Sequence, residues 1–168
     1  MINPLSLDAI NERAPYHVDY LPDADTYVFT SDTNVELAVY FIDDELIQSA
    51  LAYQLIVSNV NNRRSPRDTK VQQTILTIVE EFFDKNQAAL LYICGTGDGK
   101  QMARYRLFSH WFNHFEYALR FTCMTTSIVD EEGIPNAAAL FIRNDNPRLK
   151  ELIDEFNQTA MLLRQKLE

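Results

Sequence analysis

One amphipathic stretch limits what this chain can fold into. Across residues 71–83 the apolar positions are Val71, Ile75, Ile78, Val79, Phe82 and Phe83. Steps of three and four put them on one face of an α-helix. Such a stripe has to be covered by another layer of structure. Ser65-Pro66-Arg67-Asp68 stands just before it and predicts the helix start, with Ser65 as N-cap and Pro66 in the first turn.

The flanking runs are strand-like. Residues 27–31, 35–43 and 50–60 are rich in β-branched and aromatic residues and are separated by turn chemistry, Ser31-Asp32-Thr33-Asn34 and Asp43-Asp44-Glu45. After the helix, residues 88–94 form a short apolar run. It is expected to be a buried strand parallel to its predecessor. A second helix is expected up to about Phe115, with Phe108, Trp111, Phe112 and Phe115 on its stripe. Residues 117–130 and 137–143 predict a strand pair joined by a turn. Asn146-Pro147 caps a last helix that shows Leu149, Ile153, Phe156, Ala160, Leu163 and Leu167 on one face. Residues 1–25 read as an irregular or short helical lead-in. The expected fold is a single α+β domain over 1–168. Its order is β-β-β-α-β-α-β-β-α, with a mixed, mostly antiparallel sheet and helices packed on it.

Composition excludes several classes. The net charge is −9, and the first sixty residues hold ten acids against one arginine. General nucleic-acid binding is disfavoured by that balance. Residues 61–106 reverse it, with eight basic residues against five acids. That segment suits a phosphate-bearing small molecule, while the acidic first third suits a basic protein partner. The terminal amphipathic helix suits a homodimer. No run of eighteen apolar residues occurs and the first residues lack a secretory pattern, so a cytoplasmic chain without a membrane span is expected. Cys94 and Cys123 sit in apolar strand runs and read as free thiols. No cysteine–histidine spacing suggests a metal.

Three of the four glycines fall in Gly95-Thr96-Gly97-Asp98-Gly99-Lys100. A phosphate-binding P-loop requires glycine five residues before Gly99 and serine or threonine after Lys100. Cys94 and Gln101 stand there instead. The structural alternative is a strand-to-helix turn, with Asp98 as N-cap and Gln101 as its reciprocal partner. The ligand alternative is a backbone that something approaches closely, with Asp98 and Lys100 beside it. Arg104 lies on or next to the Phe108–Trp111 stripe. Its guanidinium therefore needs a carboxylate, an aromatic face or a bound anion.

The element order over residues 26–143 resembles the core of the GNAT acyl-CoA transferase superfamily. That family opens the helix after its third such strand with an arginine or glutamine followed by two small residues, whose amides hold the coenzyme A pyrophosphate. Arg67-Asp68-Thr69-Lys70-Val71-Gln72 falls at that place, with Lys70 and Gln72 at the small-residue positions. The resemblance implies acetyl-CoA or another acyl-CoA as cofactor. It implies Arg63, Arg64, Arg67 and Lys70 as phosphate contacts, Glu36 as a general base and Tyr105 as the nearest hydroxyl acid. The family's tyrosine position itself falls on Leu107 or Phe108. The string from Leu91 to Phe112 also resembles a family of small bacterial proteins of unknown function, in which Asp98, Lys100, Gln101, Arg104, Phe108 and Trp111 belong to one local structure. The expected function is thus an acyl-CoA-dependent N-acyltransferase or a ligand-binding derivative of one. The alternative is a non-catalytic interaction or regulatory protein.

Overall fold

A computed structural model describes residues 2–64, 68–93, 106, 110, 118–129, 132–133 and 135–167. Its elements are α1 (Leu7–Arg13), β1 (Asp19–Leu21), β2 (Thr26–Thr30), β3 (Glu36–Asp43), β4 (Ala52–Asn59), α2 (Thr69–Lys85) and β5 (Ala89–Ile93). A 3-10 turn (Ala118–Arg120), β6 (Phe121–Val129), β7 (Pro135–Arg143) and α3 (Leu149–Leu167) follow. The strands form a seven-stranded sheet in the order β1-β2-β3-β4-β5-β7-β6. The step from β4 to β5 is parallel, and the other recorded pairings are antiparallel. The α+β class with a mixed, mostly antiparallel sheet is as expected. The helix expected up to Phe115 lies outside the described residues, apart from Arg106 and His110, which are helical.

The chain divides into two compact units. The first holds residues 1–42 and 55–87, the second residues 43–54 and 88–168. In the first unit, α2 buries all six residues of its sequence stripe. Phe82 is fully buried. It stacks on Phe41 at 4.6 Å between ring centres and meets Phe83 edge-on at 5.2 Å. Thr74 and Thr77 lie on the buried side as well. Each hydroxyl donates 2.7 Å to a carbonyl one turn back, so neither is left unsatisfied.

Two local expectations are corrected here. First, α2 begins at Thr69, with Asp68 rather than Ser65 as N-cap. The Asp68 carboxylate accepts from the amides of Lys70 (2.8 Å) and Val71 (3.4 Å), and from the Tyr16 hydroxyl (2.6 Å). Ser65 has the right cap chemistry, but a tyrosine distant in sequence fixes Asp68 in that role. Second, the lead-in contains a strand as well as a helix. β1 pairs antiparallel with β2, Asp19 facing Val28, although all three of its side chains are exposed. The Asn11 side chain orders this entry, giving 2.9 Å to the Val18 carbonyl and taking 2.8 Å from the Val18 amide.

Glu81 holds α1 on α2. It is 3% exposed and accepts 3.0 Å from the Ser6 amide, with Arg13 and Lys85 each 3.9 Å from it. Asn86 closes the other end of α2. Its side chain gives 3.0 Å to the Phe82 carbonyl and takes 2.7 Å from the Asn3 amide.

The second unit packs α3 on the face of β5, β7 and β6. Its core cluster includes Ile47, Ala52, Leu91, Leu140, Ile142, Leu152 and Phe156. β5 is buried from Ala89 through Tyr92 and pairs in parallel with residues 52–54, as the continuous apolar run predicted. β6 and β7 pair over nine positions. In their connection Gly133 adopts φ +78°, where a Cβ would be strained. Asn146 begins α3 as expected, its side chain accepting 2.8 Å from the Arg148 amide. Leu152 was absent from the expected stripe and is fully buried.

Glu155 fastens the segment before β4 to α3 by accepting from the amides of Gln48 and Ser49 (2.7 Å to Ser49). Burial would raise this carboxyl. The hydrogen bonds that Gln48 and Ser49 direct at it outweigh that effect and hold it below its ordinary range. A depressed carboxyl contributes stability above its unfolded pKa and loses it as pH falls through the folded one. Glu155→Ala is therefore expected to cost about 1.5–3 kcal/mol at pH 7. The gap from wild type should close as pH drops below about 4. Denaturant titrations at several pH values check this, and a pH-independent gap would contradict it.

Candidate functional site

Four of the sequence-picked residues, Glu36, Arg63, Arg64 and Lys70, lie among the described residues of the first unit. Arg67, Asp98, Lys100, Arg104 and Tyr105 lie outside the described residues, as does Cys94. The four described ones gather around the turn between β2 and β3, the exit of β4 and the start of α2.

Asn61 organises the β4 exit. Its side-chain oxygen accepts from the amides of Glu36 (3.2 Å) and Arg63 (3.4 Å), and its nitrogen gives 2.8 Å to the Asn34 carbonyl. Asn59 adds a bond to the Arg63 carbonyl at 2.8 Å. Asn34 and Asn62 take φ of 63° and 54°. That left-handed region is one asparagine tolerates better than most side chains. Glu36 and Arg63 are thus tied through their backbones, and the side chains of Glu36, Arg63 and Arg64 are exposed. Among the described residues no carboxylate pairs with either arginine.

Lys70 sits on the other side of this end. Its ammonium is 3.4 Å from Asp32 and 5.8 Å from the centre of the Tyr16 ring. Tyr16 is buried, and its oxygen takes 3.2 Å from the Asp32 amide while giving its proton to Asp68. Burial, followed by the Asp68 contact, raises the Tyr16 hydroxyl above its ordinary range. The Tyr16 hydrogen bond, with the Lys70 and Val71 amides, lowers Asp68. Asp68 is thus a fixed anion at the helix start and a poor proton acceptor at neutral pH. The Lys70 amide, which the acyltransferase resemblance assigns to a pyrophosphate, is occupied by this carboxylate, as is the neighbouring Val71 amide.

The sequence reading missed Tyr16, Asp32 and Asn61. Each acts through a partner remote in the chain, and no local spacing marks them. The turn asparagines were the one available signal. Cys123, the described free cysteine, is pushed up to about 11 by burial, which leaves its thiol protonated and unreactive at neutral pH. Among the described residues no cluster of histidine, cysteine or acidic side chains is placed to hold a metal. No helix among them is long and apolar enough to cross a membrane.

Residues 67–158 match the model of a family of unknown function, DUF6169. That span is more than half of the chain, and the chain belongs to this family. The matched range contains α2, β5, β6, β7 and the Leu91–Phe112 string from which a small family of unknown function was expected. No curated protein and no solved structure matches the chain.

Proposed function

We propose that this chain is a derivative of the acyl-CoA N-acyltransferase type that holds a phosphate-bearing small molecule without turning it over. The observation that carries this reading is the placement of Arg63 and Arg64. Both are exposed and without a carboxylate partner among the described residues. They lie in the connection from β4 to α2, where the resemblance puts the phosphate contacts. Guanidinium groups bind phosphate oxygens through paired donors and do so without help from a helix start. The element order and the parallel β4–β5 step support the fold part of the reading.

The loss of turnover rests on two supports. Glu36 stands exposed at the edge of its strand, with its recorded bonds made by the backbone. The family's tyrosine position carries Leu107 or Phe108. A thermal-shift series with acetyl-CoA, coenzyme A and ATP tests the binding part. Ligand at about 100 times its dissociation constant adds about 2.7 kcal/mol, a shift of several degrees for a chain of this length. Coenzyme A compounds are expected to give that shift. A flat response to all three would sink the reading in favour of a protein partner.

A further inference from the structure

We infer that the second unit carries a binding site for a small neutral apolar molecule about the size of a benzene ring. This site is separate from the arginine cluster of the first unit, and the inference does not depend on how that cluster is read.

The site is a cavity of about 160 Å³ between α3 and the sheet face of β5, β7 and β6. Strand register and side-chain size create it. One cross-strand row is Leu91, Leu140 and Met124, and with Leu152 and Phe156 above it the layer is filled. Two residues along the strands, the row becomes Ile93, Ala138 and Thr126. Facing it across the layer, α3 offers Thr159 and Ala160. Small side chains meet small side chains, and the space between stays open.

The wall of the cavity is firmly held. Leu46 and Ile47 line it. Their segment is fixed by Asp44, which accepts 2.7 Å from the Ile47 amide, and by the Glu155 bonds to Gln48 and Ser49. Leu46 and Ile93 are 46% and 39% exposed and give the cavity an edge on solvent. The site is therefore preformed and reachable.

The lining specifies the occupant. None of its residues carries a charge, and its polar side-chain groups are the hydroxyls of Thr126 and Thr159. An ion entering would lose its hydration with no opposite charge to offset the loss. An apolar cavity of about 150 Å³ accommodates benzene. A neutral ring or a short aliphatic chain, with a hydroxyl or carbonyl at most, meets both limits of size and polarity.

The test titrates the intact protein with benzene, 1-hexanol and hexanoate at pH 7, following alanine and isoleucine methyl resonances and the melting temperature. Benzene and hexanol are expected to shift Ile93, Ala138 and Ala160 saturably. At about 100 times the dissociation constant they should raise Tm by about 5–10 °C. Hexanoate, of the same length but charged, should bind at least about tenfold more weakly. Ala160→Leu and Thr159→Leu each fill the space and should remove the response. Thr159 is only partly buried, so its variant remains informative if Ala160→Leu does not fold. Gln158→Leu, the same change at an exposed position of α3, should retain it. The inference is overturned if neither neutral probe binds saturably, if hexanoate matches hexanol, or if both filled variants respond like wild type. A coenzyme A response that persists in the filled variants would leave the arginine reading standing whichever way this result falls.

Discussion

Phe82→Ala is expected to destabilise the first unit by about 3–5 kcal/mol. The side chain has no exposed surface, and its ring touches Phe41 on one face and Phe83 at its edge. Truncation removes the transfer energy of a full ring and leaves a hole between helix and strand that rigid neighbours cannot close. The backbone carbonyl of Phe82 also takes both bonds from Asn86. A helix shifting to fill the hole would strain that closure too. Phe82→Leu keeps most of the volume and should cost well under half as much. Denaturant unfolding measures both, and an alanine variant within about 1 kcal/mol of wild type would show that this aromatic cluster is not the core of the unit.

Leu152→Ala is expected to cost the second unit about 2–5 kcal/mol. Leu152 is completely buried in the cluster that α3 forms with Leu91, Leu140 and Ile142. Met161, on the same helix, is 60% exposed, and Met161→Ala should stay within about 0.5 kcal/mol of wild type. The pair separates burial from helix propensity, because both replace a long side chain by alanine in one helix. Equal melting temperatures for the two variants would mean that α3 does not pack on the sheet through Leu152.

The α2 stripe was legible in the sequence because amphipathic periodicity is a local property. The parallel β5 was legible for a related reason: a continuous apolar run marks a strand buried on both faces, and Ala89–Tyr92 is buried throughout. Turn chemistry at Ser31–Asn34 and the cap at Asn146 also follow from neighbouring residues. β1 was not legible. Its three side chains are exposed, and what orders it is the Asn11 amide together with backbone pairing to β2. The start of α2 was placed early because Ser65 and Asp68 satisfy the same local rule, and the deciding contact comes from Tyr16. Leu152 escaped for another reason. The last helix has apolar residues at both 152 and 153, and position alone does not say which one faces the sheet; Leu152 does so fully and Ile153 partly. In the candidate site, Arg63, Arg64 and Lys70 stood out as local charge. Asn61, which holds the Arg63 backbone, and Asp32, which meets the Lys70 ammonium, act through remote partners that no local spacing marks. The cavity depends on which small residues end up opposite each other across two layers, and no single segment encodes that.

Acetyl-CoA titrated into wild type and into the Arg63→Ala/Arg64→Ala double variant, at low and at physiological ionic strength, tests the central claim most directly. The account predicts saturable binding by wild type that weakens with salt, as contacts to exposed charges do. It predicts about tenfold weaker binding by the double variant with no change in melting temperature. It also predicts no release of free thiol during prolonged incubation with amine acceptors. Equal binding by the two proteins, or steady thiol release by wild type, would contradict it.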